Sequence, residues 1–369
     1  AQTVTINVDA SCRSMNWTGI NTASARILAG VSNRSLNIWG SLILNASANM
    51  QNNFMGTIYF KSDSIGRNID LKGKTINGNY TYFDGAGEWT LASAFTAQGI
   101  FHAKGSIVTN NFAITATSFS SSTTNTRQLT LGSSIITING NWQISNSTGY
   151  TVNAGTSAIN ISGTYYNGGS LAYHNVTFSA ATPISFYGGN TYDTLSFSSS
   201  KDISFEGGKT QTFNILSILN GTSCSDLVKI KTLNPGLPAN FSKASGTLTG
   251  SYLQITDVTA GGGATFNATS SYGIGNVTGW NITSPVADDF YWIAGTGNWS
   301  DPNHWSLTSG GVPATCSPSI LDNVFFDANS FTGGGDTVTV DIAASCNNMN
   351  WTGATLNPYF AGFQSLNIG

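Results

Sequence analysis

The chain has 369 residues, a net charge of −3 and only 8% Asp, Glu, Lys and Arg, against about 25% in an ordinary soluble domain. With 40% hydrophobic and 11% aromatic residues it is too apolar for a disordered chain. It also lacks the field of Lys and Arg that a nucleic-acid partner would require.

No apolar run approaches the roughly 18 residues of a membrane span, so no membrane insertion of this segment is expected. Glutamate occurs twice, at Glu88 and Glu206, while Gly occurs 42 times and Asn 39 times. Helices draw on Glu, Lys, Ala, Arg and Leu, so the composition predicts an all-β chain with a neutral Asn/Ser/Thr/Gly surface.

In chain order, Ile76-Asn77-Gly78-Asn79-Tyr80 returns as Ile138-Asn139-Gly140-Asn141-Trp142, displaced by 62 residues. Gly40, Gly78, Gly99, Gly140 and Gly163 are spaced close to whole multiples of 20. Three triplets follow, each reading aromatic-x-x-apolar-x-apolar: Tyr173/Val176/Phe178, Tyr192/Leu195/Phe197 and Phe213/Leu216/Ile218, stepping by 19 and 21. Between them Ile184-Ser185-Phe186-Tyr187-Gly188-Gly189 recurs as Ile203-Ser204-Phe205-Glu206-Gly207-Gly208.

A period near 20 without a fixed Leu ladder or helix formers predicts a right-handed parallel β-helix. Each coil would hold two or three short strands, with alternate side chains inward and Gly or Asn at corners needing positive φ. Ile184, Phe186, Ile203 and Phe205 should stack in one inward ladder, and Val176, Leu195 and Leu216 in a second. A β-sandwich is the alternative, but it does not require the same apolar triplet every 19–21 residues.

A longer period overlies the short one. Residues Thr3 to Gly19 match Thr337 to Gly353 with eleven of 17 positions identical and a displacement of 334. Ser35-Leu36-Asn37-Ile38 then matches Ser365-Leu366-Asn367-Ile368, displaced by 330. This is the pattern expected of a window on a tandem array. The expected division is a β-helix unit over 1–284, a cap or connector over 285–336, and the first coils of the next unit over 337–369. Trp292, Trp299 and Trp305 in the connector would cover an exposed apolar end of a solenoid, which needs a distinct cap.

The run Gly297-Asn298-Trp299-x-Asp301-Pro302-x-x-Trp305, then Asp322-Asn323-Val324-x-Phe326 and Thr337-Val338-Thr339, resembles the segment that opens β-helices in autotransporter-like bacterial surface proteins. The run Gly261 to Ala268, followed by Asn276-x-Thr278-Gly279-Trp280-Asn281, resembles the close of such units. Together they resemble repeat units of very large secreted adhesins of Bacteroidota, exported by type IX secretion. That resemblance implies an extracellular, cell-surface, filament-forming or adhesive protein with no catalytic residues to carry over. Its partners would be adjacent units of the same fibre, and surface glycans or other fibres.

Four cysteines occur without a CxxC, which weakens a zinc reading. Cys316 and Cys346 flank the cap and the next strand, and a disulfide between them is expected, with buried free thiols as the alternative. Cys12 occupies the position of Cys346 and should lack a partner; Cys224 is left unassigned. Asp301, Asp322, Asp327 and Asn329 are candidate calcium ligands, against the reading that they cap turns. Asp63-Ser64-Ile65, Asp193-Thr194-Leu195 and Asp336-Thr337-Val338 look like Asp-Ser/Thr-apolar O-glycan sites of Bacteroidota, at Ser64, Thr194 and Thr337.

An enzyme of the β-helix lyase or hydrolase kind needs clustered carboxylates on one sheet face. The only adjacent pair, Asp288-Asp289, lies in the connector, and His102, His174 and His304 are isolated in sequence. No enzyme activity and no cofactor are therefore expected. A carbohydrate-binding or phage-fibre-like module is the other alternative, with Trp39, Trp89 and Trp142 either stacking sugars or filling the core.

Overall fold

The computed structural model describes residues 1–369 apart from Thr182, Ser223 and Ser225. Half of the chain is strand and 1% is helical, wound into a parallel β-solenoid of about 17 turns with about 22 residues per coil. The coil is wider than the sequence period because some coils carry longer loops. The step from Phe186 to Phe205 is one coil of 19 residues. The next, from Phe205 to Thr232, takes 27. The extra length lies in the loop between strands Thr210–Ser217 and Val228–Thr232, which carries Cys224.

Alternation along each strand decides which side chains face inward. One interior ladder runs through paired residues Leu36, Ile58, Thr81, Ile100, Phe119, Trp142, Tyr166, Phe186 and Phe205. Ile184 pairs with Ile203 in the same strands, as expected. The second expected ladder also forms: Ile136, Ile159, Val176, Leu195 and Leu216 are successive partners. Because rungs are one strand spacing apart, aromatic rungs meet face to face or tilted, with Phe119 and Trp142 at 4.4 Å and Phe186 and Phe205 at 5.0 Å. Trp89 and Trp142 are fully buried, so both fill the core.

The recurring glycines do not serve the purpose expected of them. None of Gly40, Gly78, Gly99, Gly140 and Gly163 has positive φ. They sit where one coil's backbone lies directly on the next. A Cβ at Gly78 would meet the Gly56 carbonyl oxygen at 1.8 Å, and one at Gly163 would meet the Gly140 oxygen at 2.1 Å. Backbone oxygens cannot step aside as a flexible side chain can. The repeat therefore reports close approach between coils rather than a left-handed turn.

Polar residues also enter the interior, most extensively around His102. His102 follows Ile38, Phe60 and Phe83 on an inward ladder and is fully buried. Its Nε2 lies 2.9 Å from the Gly105 carbonyl, which can only accept, so Nε2 carries the proton and Nδ1 accepts from the Tyr150 hydroxyl at 3.0 Å. Burial pulls its pKa down to about 3, keeping the ring neutral. Beside it the buried Arg127 donates to Ser121 Oγ at 2.5 Å, the Thr148 carbonyl at 2.6 Å and the Asn125 carbonyl at 2.9 Å. Its guanidinium stands 4.9 Å over the Tyr150 ring. The network satisfies itself and is closed to solvent.

Two hydrophobic cores result. The larger runs from Ile6 to Ala268; the smaller joins Phe290, Trp292, Trp299 and Trp305 to Val338, Val340, Ala344 and Cys346. Residues of the connector over 285–336 and of the coils over 337–369 thus share one core.

The glycine assignment has a direct test. Gly163→Ala should lower unfolding stability by about 1–3 kcal/mol, the range for overpacking. Gly19→Ala should be nearly neutral, since a Cβ there meets nothing within 4 Å. Equal effects in denaturant titrations would contradict the close-approach reading.

Candidate functional site

The joint between the two cores is the most heavily constructed part of the chain. After strand Trp280–Thr283 closes the first solenoid, strand Asp289–Trp292 opens a new ladder by pairing in parallel with Asn323–Phe325, which pairs with Asn348–Asn350. Gly297–Asn298 begins another ladder through Thr337–Val340 to Tyr359–Gly362. The cap is therefore built as opening coils of the second solenoid, with an excursion over 299–322 between its strands. Trp292, Trp299 and Trp305 all lie inside the second core. Trp305 meets Trp299 and Trp292 edge-on at 4.8 and 5.0 Å, and its indole N–H donates to the Trp299 carbonyl. They seal the upstream end of the second unit, not the downstream end of the first.

The internal repeat supplies a control for this sealing. Ala10, Ser11 and Cys12 pair with Leu36, Asn37 and Ile38; Ala344, Ser345 and Cys346 pair with Leu366, Asn367 and Ile368. The register is the same although the second copy is four residues shorter. Two of those residues come from the turn before Ser365, where Phe363 and Gln364 replace four residues, Val31 to Arg34. In the capped copy Val338 is 0% exposed, while its counterpart Val4 is 55% exposed. In the second copy the cap strand Gly297–Asn298 pairs onto Val338 and makes it core.

The expected Cys316–Cys346 disulfide is not formed. Cys316, in the excursion, bonds Cys224 of the first solenoid across a Cα–Cα distance of 5.8 Å and a sequence separation of 92. Cys346 is a free, fully buried thiol, pushed up to about 11 by burial. In strand Ala344–Cys346 the outer two residues face inward and Ser345 outward, so Cys346 is held within the core as a packed side chain, while Cys316 reaches back to Cys224. That pattern was legible in Ala-Ser-Cys. The partner Cys224 was not, because it lies in an irregular loop with no periodicity. Cys12 is free, as expected. The Cys224–Cys316 bond ties the two bodies together, and closing so long a loop contributes about 4–5 kcal/mol in the chain-entropy estimate.

Beside this bond the bodies enclose a cleft of about 690 Å³, lined by Lys201, Asp202, Asp226 and Lys229 on one side and Ser319 and Asn367 on the other. Its carboxylates are engaged. Asp226 pairs with Lys201 and Asp202 with Lys231. Hydrogen bonds from Lys201 and Thr222 hold the Asp226 carboxyl below its usual range.

The candidate calcium ligands serve separate turns. Asp301 accepts from the Asn303 backbone N–H at the start of a 3₁₀ turn. Asp322 accepts from the Asp288 and Ser319 backbones. Asp327 accepts from the Asn329 backbone, and Asn329 donates to Ser309. Among the described residues no three His, Cys, Asp or Glu side chains are grouped to hold a metal. Ser64 is exposed, and Thr194 and Thr337 are half-buried. His174 stands 3.8 Å from Asp193, and His304 stacks on Trp292.

Outward-facing aromatics escaped the sequence reading. Of the three tryptophans singled out for sugar stacking only Trp39 is exposed. The exterior row is instead Asn37, Tyr59, Tyr82, Phe101, Ser120, Gln143, Asn167 and Tyr187 in successive coils. Tyr59 and Tyr82 stack at 4.8 Å. The signal was present as Tyr59-Phe60 and Tyr82-Phe83, adjacent aromatics of which only one can face inward. The chain matches no protein-family model, no curated protein and no solved structure.

Disulfide mapping checks the joint. A non-reduced digest should contain a Cys224–Cys316 cross-linked peptide, with Cys12 alkylated in the folded protein and Cys346 only after unfolding. A Cys316–Cys346 peptide would contradict the assignment.

Proposed function

We propose that this chain is a structural segment of an extracellular, cell-surface fibre built from tandem units of about 334 residues, of the kind its sequence resembles, and that it has no catalytic role. The observation that carries the reading is the repeated pair of coils, the second of them sealed by a Trp-rich cap that a disulfide ties to the preceding solenoid. A solenoid gains length in proportion to its residues, each coil contacting only its neighbours. The cap and the disulfide set how one unit meets the next. A neutral surface limits nonspecific charge attraction, and a disulfide accords with an oxidising, extracellular address.

Antibodies raised against the folded chain should decorate intact cells of the organism that makes it, on extensions from the surface. Labelling only after lysis would overturn the reading. Uronate polymers incubated with the chain, with and without calcium, should remain uncleaved; measurable cleavage would establish an enzyme instead.

A further inference from the structure

The exterior aromatic row ends abruptly. The Lys61 ammonium sits 5.2 Å from the Tyr59 ring, Tyr59 stacks on Tyr82, and Tyr82 lies 5.1 Å from Phe101. The next rung is Ser120 and the one after is Gln143. Replacing a ring by a hydroxymethyl group leaves a notch of about 350 Å³ beyond Phe101, one strand spacing from the last ring. Tyr80, Tyr82 and Phe101 form its aromatic wall, and residues such as Ser122 and Gln143 supply hydroxyl and amide groups.

We propose that this notch binds one ring of a neutral glycan, which takes the place of the missing aromatic rung. The chemistry is matched on three counts. A pyranose has an apolar face of C–H groups that stacks on an aromatic ring, and the first position without a protein ring lies beside Phe101. Its hydroxyls require groups that both donate and accept, and the Gln143 amide and Ser122 hydroxyl have these functions free. No charged side chain lines the notch, which argues against a phosphate, sulfate or uronate. The proposal stands apart from the structural reading above. A single notch of this size implies weak binding, which a tandem array would strengthen by multivalency.

The test uses the full chain and three probes: hexasaccharides of β-1,4-linked glucose, β-1,4-linked mannose and β-1,3-linked glucose, with oligogalacturonate as the charged comparison. Binding is read by saturation-transfer NMR and calorimetry. At least one neutral probe should bind, and Phe101→Ala and Gln143→Ala should each weaken it by about tenfold, the equivalent of 1.4 kcal/mol. Both residues face outward, so their melting curves should match the parent. Tyr187→Ala, farther along the same row, should bind as the parent does.

The proposal is overturned if no neutral probe binds at millimolar concentration, or if only oligogalacturonate binds. It is also overturned if affinity survives Phe101→Ala in a folded protein. A change in self-association in place of glycan affinity would assign the row to lateral contact between copies.

Discussion

Everything in this structure depends on strand register between successive coils. In a parallel ladder a slip of one residue sends every inward side chain outward, so a neutral chain with few charges must fix its register by packing. Here the fixing is mutual. Stacked rings such as Phe119 on Trp142 favour one alignment, and glycines such as Gly78 let the corners close onto the backbone of the coil before. The buried polar network of His102 and Arg127, on successive coils, adds direction, since its hydrogen bonds join named partners across coils. A buried guanidinium without a carboxylate is tolerated because backbone carbonyls and the Ser121 hydroxyl accept its hydrogen bonds.

Such a stack has no natural end. Each coil offers the next an apolar face and a row of unpaired backbone groups, and the strands that open the second unit cover such a face. Val338 is fully buried beneath the opening strands that precede it. The Trp-rich segment therefore belongs energetically to the unit it opens. The Cys224–Cys316 bond, which reaches back across the joint, is what attaches that unit to the one before. Separating sealing from attachment leaves Cys346 free to be a core residue.

Much of this was legible in the sequence. Ladder partners such as Val176 and Leu195 were readable because coil length there is nearly constant, so a shared apolar triplet maps directly onto a shared rung. The long repeat was readable for the same reason, and it predicted equivalent strand pairings at Cys12 and Cys346. What the sequence hid was everything set by loops. Cys224 lies in the widened coil where the period fails, so its partner could not be counted. The Tyr59–Tyr82–Phe101 row alternates with core aromatics, and composition alone does not tell an inward ring from an outward one. The recurring glycines were noticed for the right positions and the wrong reason, because a spacing shows where Gly is needed but not whether φ or close approach demands it.

The central claim is that opening strands turn an otherwise identical strand into core, and one paired measurement tests it most directly. Val338→Asp and Val4→Asp should be compared by hydrogen exchange across strands Thr337–Val340 and Gln2–Ile6, alongside denaturant unfolding followed by tryptophan fluorescence. Val338→Asp should lose protection throughout the second core and several kcal/mol of its stability, since it buries an unpaired charge, whereas Val4→Asp should stay within about 0.5 kcal/mol of the parent. Equal losses at the two positions would contradict the account.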